Sequence, residues 1–219
     1  MEKYFSILRK CPLFFDIEDE NLIALLGCLR AKVETYDKKY TILAEGNPAK
    51  YIGIVLSGSA QMITIDFYGN RSIVAQIENS EIFGEAFACA GIDSIPVTVV
   101  ASEPCEIMLI DRERILNSCS NACSFHRQII FNLMKDLATK NLMFHKKIEI
   151  TSKRSTREKI MTYLMQQAKI NGSDSFTIPF DRQELADYLE VERSGLSAEI
   201  GKLKKEGIID FSKNRFILL

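Results

Sequence analysis

The stretch DRQELADYLEVERSGLSAEIGKLKK, residues 181–205, decides the fold of the C-terminal part of this chain. Asp181 and Glu184 stand three residues apart, which is the spacing of a capping box that begins a helix. Ala186 falls on the predicted inner face of this helix, where a small side chain lets a second helix cross closely. Glu190-Val191-Glu192 then forms the predicted turn. The pattern indicates two short helices joined by a tight turn.

A second helix is predicted from Arg193 to Glu206, because its apolar residues recur at spacings of four and three. These residues are Leu196, Ile200 and Leu203. A β-hairpin is predicted from Ile208 to Leu219. Two helices followed by a hairpin indicate a winged helix-turn-helix, a fold whose second helix fits the major groove of DNA.

The outer face of the second helix carries the residues predicted to read bases. Arg193 is the candidate for paired hydrogen bonds to the O6 and N7 atoms of guanine. The other residues predicted on this face are Ser194, Ser197 and Ala198. Five basic residues are predicted to contact phosphates, which position a protein on DNA without reading its sequence. They are Lys153, Arg154, Lys202, Lys213 and Arg215.

The N-terminal half of the chain has a different texture. A helix is predicted over residues 18–30, and short strands rich in Ile and Val, such as Tyr51–Leu56 and Glu106–Ile110, follow from Ala31 to Asp111. Because turn signals rather than helices separate the strands, they indicate an antiparallel barrel or sandwich.

The longest helix is predicted over residues 121–149, with Asn121 as its cap. Four of its apolar residues follow the seam spacing of a coiled coil and form the predicted dimer interface. They are Ile130, Leu133, Leu137 and Phe144. The alternative is a single amphipathic helix that covers a sheet. A further helix is predicted over residues 157–169, after a polar hinge.

Composition excludes several classes of protein. The chain is 47% hydrophobic and 26% charged, as expected of a globular protein, and its formal net charge is -1, so nucleic-acid contacts must come from local clustering. We find no apolar run long enough to span a membrane and no signal peptide, so a cytoplasmic location is expected. Both histidines fall on the long helix, and no nucleophile or phosphate-loop motif appears, so neither an enzyme nor a bound cofactor or metal is expected.

The order of these parts resembles the Crp/Fnr family of bacterial transcription regulators. The resemblance rests on IFGEA, residues 82–86, and on DRQELADYL, residues 181–189, through EGII, residues 206–209. It implies an α+β fold with an effector-sensing β-barrel of the cyclic-nucleotide-binding jelly-roll kind over 1–120, a dimerisation helix over 121–150 and a winged helix-turn-helix over 151–219. It also implies a homodimer on a palindromic promoter site, a small-molecule effector, and RNA polymerase as the partner of an activator.

The effector region departs from the pattern of cyclic-AMP-binding members, in which an Arg that takes the cyclic phosphate follows the Phe-Gly-Glu motif. This chain has Ile95-Pro96-Val97 there, and no Lys or Arg lies between Arg71 and Arg112. A buried phosphate without a cation is costly, so we predict that the barrel binds a neutral or weakly polar effector other than cyclic AMP, or no ligand at all. The predicted pocket residues are Gly84, Glu85, Ala86, Ile95, Pro96, Val97 and Phe144. Glu85 would bond this ligand or nearby backbone N–H groups.

The Fnr-like branch of the family holds an iron–sulfur cluster on clustered N-terminal cysteines. Here only Cys11 lies near the N-terminus and Cys28 is distant, so that ligand set is missing. One alternative is a thiol, metal or haem redox sensor that uses Cys119, Cys123 and His126, which have helical spacing. Another is a small-molecule sensor or scaffold that does not bind DNA.

Overall fold

The computed structural model of the protein describes residues 2–116 and 124–219. Its helices are α1 Phe5–Leu8, α2 Asp19–Cys28, α3 Glu85–Ala90, α4 Arg112–Leu116, α5 Ser124–Thr151, α6 Thr156–Asn171, α7 Arg182–Leu189 and α8 Arg193–Lys205. Its strands are β1 Lys32–Tyr36, β2 Thr41–Leu43, β3 Tyr51–Ser57, β4 Ala60–Ile65, β5 Arg71–Ile77, β6 Ile82–Phe83, β7 Thr98–Ala101, β8 Cys105–Asp111, β9 Ser175–Thr177, β10 Ile209–Ser212 and β11 Arg215–Leu218.

The chain divides into two compact units. The first unit contains residues 1–65 and 74–141, and the second contains residues 66–73 and 142–219. The division falls inside α5, so this helix belongs to both units. The boundaries at residues 120 and 150 remain predictions.

The first unit is a jelly roll, which confirms the predicted α+β class. Its strands do not close into one barrel but form two four-stranded antiparallel sheets, ordered β1-β8-β3-β6 and β2-β7-β4-β5. One apolar core lies between the sheets and another lies between the first sheet and the helices.

Side chains of β8 alternate between these two cores, as expected of a strand that is covered on both faces. Ile107 packs between the sheets, and Met108 and Ile110 pack against the helices. Gly53 on the neighbouring strand β3 faces the ring of Phe83, and a Cβ atom at residue 53 would lie 2.1 Å from that ring. The close contact explains why no side chain fits at this position.

The second unit contains the predicted winged helix-turn-helix. The capping box is confirmed, because the Glu184 amide donates to Asp181 Oδ1 at 2.8 Å and the Asp181 amide donates to Glu184 Oε2 at 2.9 Å. Leu196, Ile200 and Leu203 of α8 are buried as expected. The wing has three antiparallel strands in the order β10-β11-β9, one more than the predicted hairpin, because residues 175–177 pair with β11. None of the described helices is long and apolar enough to cross a membrane.

Candidate nucleic-acid interface and effector region

The outer face of α8 presents all four residues that were predicted to read bases. Arg193, Ser194, Ser197 and Ala198 are exposed, whereas Leu196 between them is buried. No residue in the described part of the chain pairs with the Arg193 guanidinium. The face therefore offers one arginine, two hydroxyl groups and one methyl group to a groove of DNA.

An ion-pair network holds α8 against α6 and turns its acidic residues away from that face. Arg157 of α6 bonds Glu199 at 3.3 Å and Glu206 at 2.5 Å. These hydrogen bonds, chiefly the one to Glu206, raise the pKa of Arg157 above its ordinary value. Glu199 also lies 3.4 Å from Lys202, so the charge of this predicted phosphate contact is partly balanced inside the protein.

The turn between α7 and α8 is fixed without a glycine. Glu190 adopts a left-handed conformation with φ 54°, a region that glycine enters most readily. Lys159 of α6 donates to the carbonyl oxygens of Leu189 at 3.2 Å and Glu190 at 3.1 Å. A cation at the C-terminal end of a helix donates hydrogen bonds to the free carbonyl groups and interacts favourably with the negative end of the helix dipole. Lys159 is thus a positioning residue that sequence reasoning missed.

The predicted phosphate contacts have different surroundings within the second unit. Lys202, Lys213 and Arg154 are exposed, and Lys153 is half-buried. The guanidinium of Arg215 donates to Ser175 Oγ at 3.1 Å, which links β11 to β9. Their roles on DNA remain predictions.

Arg182 is a further basic residue that sequence reasoning missed. Its guanidinium lies 4.8 Å from the ring centre of Phe211 and 5.1 Å from that of Phe216, both in the wing. Burial lowers the pKa of Arg182. Stacking on two rings joins the start of α7 to the wing.

The residues of the predicted effector pocket do not share one environment. Gly84, Glu85, Ile95 and Val97 are buried, whereas Ala86, Pro96 and Phe144 are exposed. Ile95 and Val97 pack in the core between the sheets. Gly84 has φ 77°, and a Cβ atom there would lie 3.1 Å from the Tyr51 carbonyl oxygen, so the turn that begins α3 requires glycine. A pocket formed by all seven residues remains a prediction.

The described partner of Glu85 is a side-chain ammonium group and not the backbone N–H groups that were the alternative to a ligand. Its Oε1 atom accepts a hydrogen bond at 2.8 Å from the ammonium group of Lys140 on α5. The same ammonium donates to the Ile82 carbonyl oxygen at 2.6 Å and lies 3.1 Å from Asp136 Oδ2. No cation lies near the motif in the sequence, and the cation in the fold comes from the long helix, 55 residues further along the chain.

The predicted dimer seam on α5 is wrong in part, because it includes residues of the inner face. Leu133 is buried in the core of the first unit and cannot meet a second helix, and the half-buried Leu137 packs against that core. Ile130 is half-buried and Phe144 is exposed. The large apolar residues that α5 exposes are Phe131, Met134, Leu142, Met143, Phe144 and Ile148.

The proposed redox set is only partly visible, because Cys119 and Cys123 lie outside the described residues. His126 is buried, and its Nε2 atom lies 2.8 Å from the Arg114 carbonyl oxygen. Among the described residues no group of three or more His, Cys, Asp or Glu side chains could hold a metal. Burial raises the pKa of the Cys11 thiol to about 12.

Comparison with known proteins identifies the family. Residues 33–122 match the model of the cyclic nucleotide-binding domain, and residues 158–219 match the model of the Crp-like helix-turn-helix domain. The chain belongs to the Crp/Fnr family of transcription regulators. The two matched regions together span more than half of it.

Similar proteins agree with this assignment. The transcriptional activator protein FnrL of Cereibacter sphaeroides is 20% identical, over 84% of this chain and 75% of its own. The probable transcriptional regulator flp of Lacticaseibacillus casei is 23% identical, over 95% of this chain and 91% of its own. The c-di-GMP responsive regulator CLP of Xanthomonas campestris has the same fold, with a TM-score of 0.75 and 18% identity over 91% of this chain and 99% of that one.

The environments of the cysteines predict their order of reaction. Cys28 is exposed and Cys11 is buried, and the thiolate is the nucleophile that attacks iodoacetamide and displaces iodide. At pH 8 in the folded protein we expect Cys28 to be alkylated and Cys11 to stay unmodified, as measured by peptide mass spectrometry. In urea both should react, which is the control. Equal labelling of Cys11 and Cys28 in the folded protein would contradict the structure.

Proposed function

We propose that this chain is a sequence-specific DNA-binding regulator that acts as a homodimer on a palindromic promoter site. The observation that carries the proposal is the division of α8 into a buried apolar face and an exposed face, with Arg193 at the N-terminal end of the exposed face. Such a regulator works where the bacterial chromosome lies, in the cytoplasm. If it activates transcription, RNA polymerase is a further partner.

The chemistry of the exposed face supports a specific base preference. An arginine fits guanine through two hydrogen bonds in the major groove, and an alanine methyl group fits the methyl group of thymine. Arg193 and Ala198 are five residues apart, about 7.5 Å along the helix axis, so they reach different base pairs. Each half-site is therefore expected to contain a guanine and a thymine read by these two residues.

The exposed face of α5 supports the homodimer. Phe131, Met134 and Ala138 are exposed and follow the three–four spacing of a coiled-coil seam, and Ile148 continues the repeat further along the helix. This seam lies one residue out of step with the sequence prediction. A second copy of the same helix would cover it and place two α8 helices for a two-fold site.

The charges around Glu85 support an effector other than cyclic AMP. Lys140 is already shared by Glu85 and Asp136, which are both buried, so the ammonium has no spare charge for a phosphate. Burying an anion beside two carboxylates and one cation is costly. A neutral or weakly polar ligand remains the chemistry that we propose for an effector of this protein.

The first prediction of this proposal concerns Arg193. On a duplex enriched by the wild type from a random library, Arg193→Ala should lose about 1–3 kcal/mol of binding free energy for each half-site and should relax the preference for one base. Lys213→Ala should weaken all sequences alike and reduce the salt dependence. Arg114→Ala, at an exposed arginine of α4 in the first unit, is the control and should bind normally.

Repeated selection with each variant, followed by titration at several salt concentrations, measures these effects. An unchanged selected motif for Arg193→Ala would remove this residue from the readout. A DNA-binding protein that contacts several phosphates should lose affinity as the salt concentration rises, because binding releases counterions. A scaffold that does not bind DNA would shift no duplex at any salt concentration.

The second prediction concerns the exposed seam of α5. Met134, with 57% of its surface exposed, would be covered in the dimer, so Met134→Glu should place two like charges in an apolar interface and give a monomer. Thr139→Glu changes an exposed position on the flank of the same helix and should leave the dimer intact. Sedimentation velocity measures both. A monomeric wild type, or a dimeric Met134→Glu variant, would contradict the proposed seam.

A further inference from the structure

Lys140 holds an unusual position in the first unit, because its ammonium group lies between two buried carboxylates. Glu85 is 4% exposed and Asp136 is 8% exposed. The ammonium donates to Glu85 Oε1 at 2.8 Å and to the Ile82 carbonyl oxygen at 2.6 Å, and lies 3.1 Å from Asp136 Oδ2. The ammonium therefore makes two hydrogen bonds within the protein, and its contact with Asp136 Oδ2 is an ion pair without a hydrogen bond.

These acceptors come from separate elements of the unit. Ile82 belongs to β6, Glu85 begins α3, and Asp136 lies one turn before Lys140 on α5. The two elements β6 and α3 meet at Gly84, whose left-handed turn aims the Glu85 carboxylate at α5. One side chain therefore ties the long helix to the turn that begins α3.

The Glu85 site contains more hydrogen-bond acceptors than donors. Glu85 Oε2 and Asp136 Oδ2 receive no hydrogen bond from the described residues. Two carboxylates face one ammonium. A third acidic residue, Glu81, interacts electrostatically with both Lys140 and Asp136, and burial is the main cause that raises its pKa. Such a site favours a cation with N–H groups and disfavours an anion.

We propose that Lys140 is the built-in occupant of the Glu85 site, an ammonium ion on a tether that fixes α5 against α3 and β6. DNA binding then requires no diffusible ligand at Glu85. The site itself selects primary ammonium ions, so a small alkylammonium ion can replace the side chain once the tether is removed. The DNA-binding part of this inference rests on the proposed function.

Four variants separate the charge of Lys140 from its bulk: Lys140→Met, Glu85→Gln, the two combined, and Lys140→Ala. Lys140→Met keeps the apolar stem but leaves two buried carboxylates without a cation, and we expect its melting temperature to fall by roughly 5–10 °C. The double variant Glu85→Gln with Lys140→Met should be less destabilised than the sum of its single variants, because it removes both partners. Lys140→Ala opens space for an added ion.

Chemical rescue is the decisive arm of the experiment. Propylammonium chloride should raise the melting temperature of Lys140→Ala toward that of the wild type. Tetramethylammonium chloride, which has no N–H donor, should not raise this melting temperature. The melting temperatures of the wild type and of Lys140→Met should respond equally to the two salts. A side chain that only filled space would give no rescue that depends on N–H groups, and that result would overturn the proposal.

The functional arm uses a duplex that the wild type selects from a random library, without added ligand. Lys140→Met should bind it on the order of tenfold more weakly, and propylammonium should restore binding by Lys140→Ala. Unchanged DNA affinity in Lys140→Met would overturn the regulatory part. A wild type that selects no duplex would instead overturn the proposed function, while the melting and rescue data would still decide whether Lys140 occupies an ammonium site.

Discussion

The burial of Leu196, Ile200 and Leu203 in the second unit is the constraint on which the rest of the molecule depends. Successive residues of an α-helix point about 100° apart, so burying these three leaves Arg193, Ser194, Ser197 and Ala198 outside. Neighbouring contacts then fix the helix in place. Arg157 holds its acidic residues, and Lys159 secures the preceding turn.

In the long helix α5, as in α8, the buried residues determine which residues are exposed, but α5 has two apolar faces instead of one. Its inner face, with Ile129 and Leu133, completes the core of the first unit, and its outer face exposes Phe131 and Met134. Lys140 adds a polar joint on the inner side. A single helix can thus complete the jelly-roll core and still expose an apolar face.

Local signals allowed much of this fold to be predicted from the sequence. The Asp181–Glu184 capping box needs only residues three positions apart, and the strands are separated by short polar turns. Helix α3 was missed because a helix of six residues is marginal on its own and depends on tertiary contacts. The third strand of the wing, residues 175–177, was missed for a similar reason, since its pairing partner lies far along the chain.

Two features of the candidate sites could not be predicted from the sequence: which face of α5 is buried and which residue pairs with Glu85. Two sets of apolar residues on α5 have nearly the same spacing, and sequence cannot decide whether Leu133 or Met134 faces the protein's own core. The partner of Glu85 could not be found either, because Lys140 is 55 residues away and only the fold brings them together. The Arg193 face was predictable, because one helix and its own apolar spacing define it.

The most direct test of this account is a hydroxyl-radical footprint of the wild-type protein on a duplex that it selects. We predict two protected half-sites related by two-fold symmetry, with centres about one helical turn, or 10 base pairs, apart or a multiple of that distance. A single unsymmetrical protected segment, or no protection even at low salt, would contradict the claim that paired α8 helices read DNA.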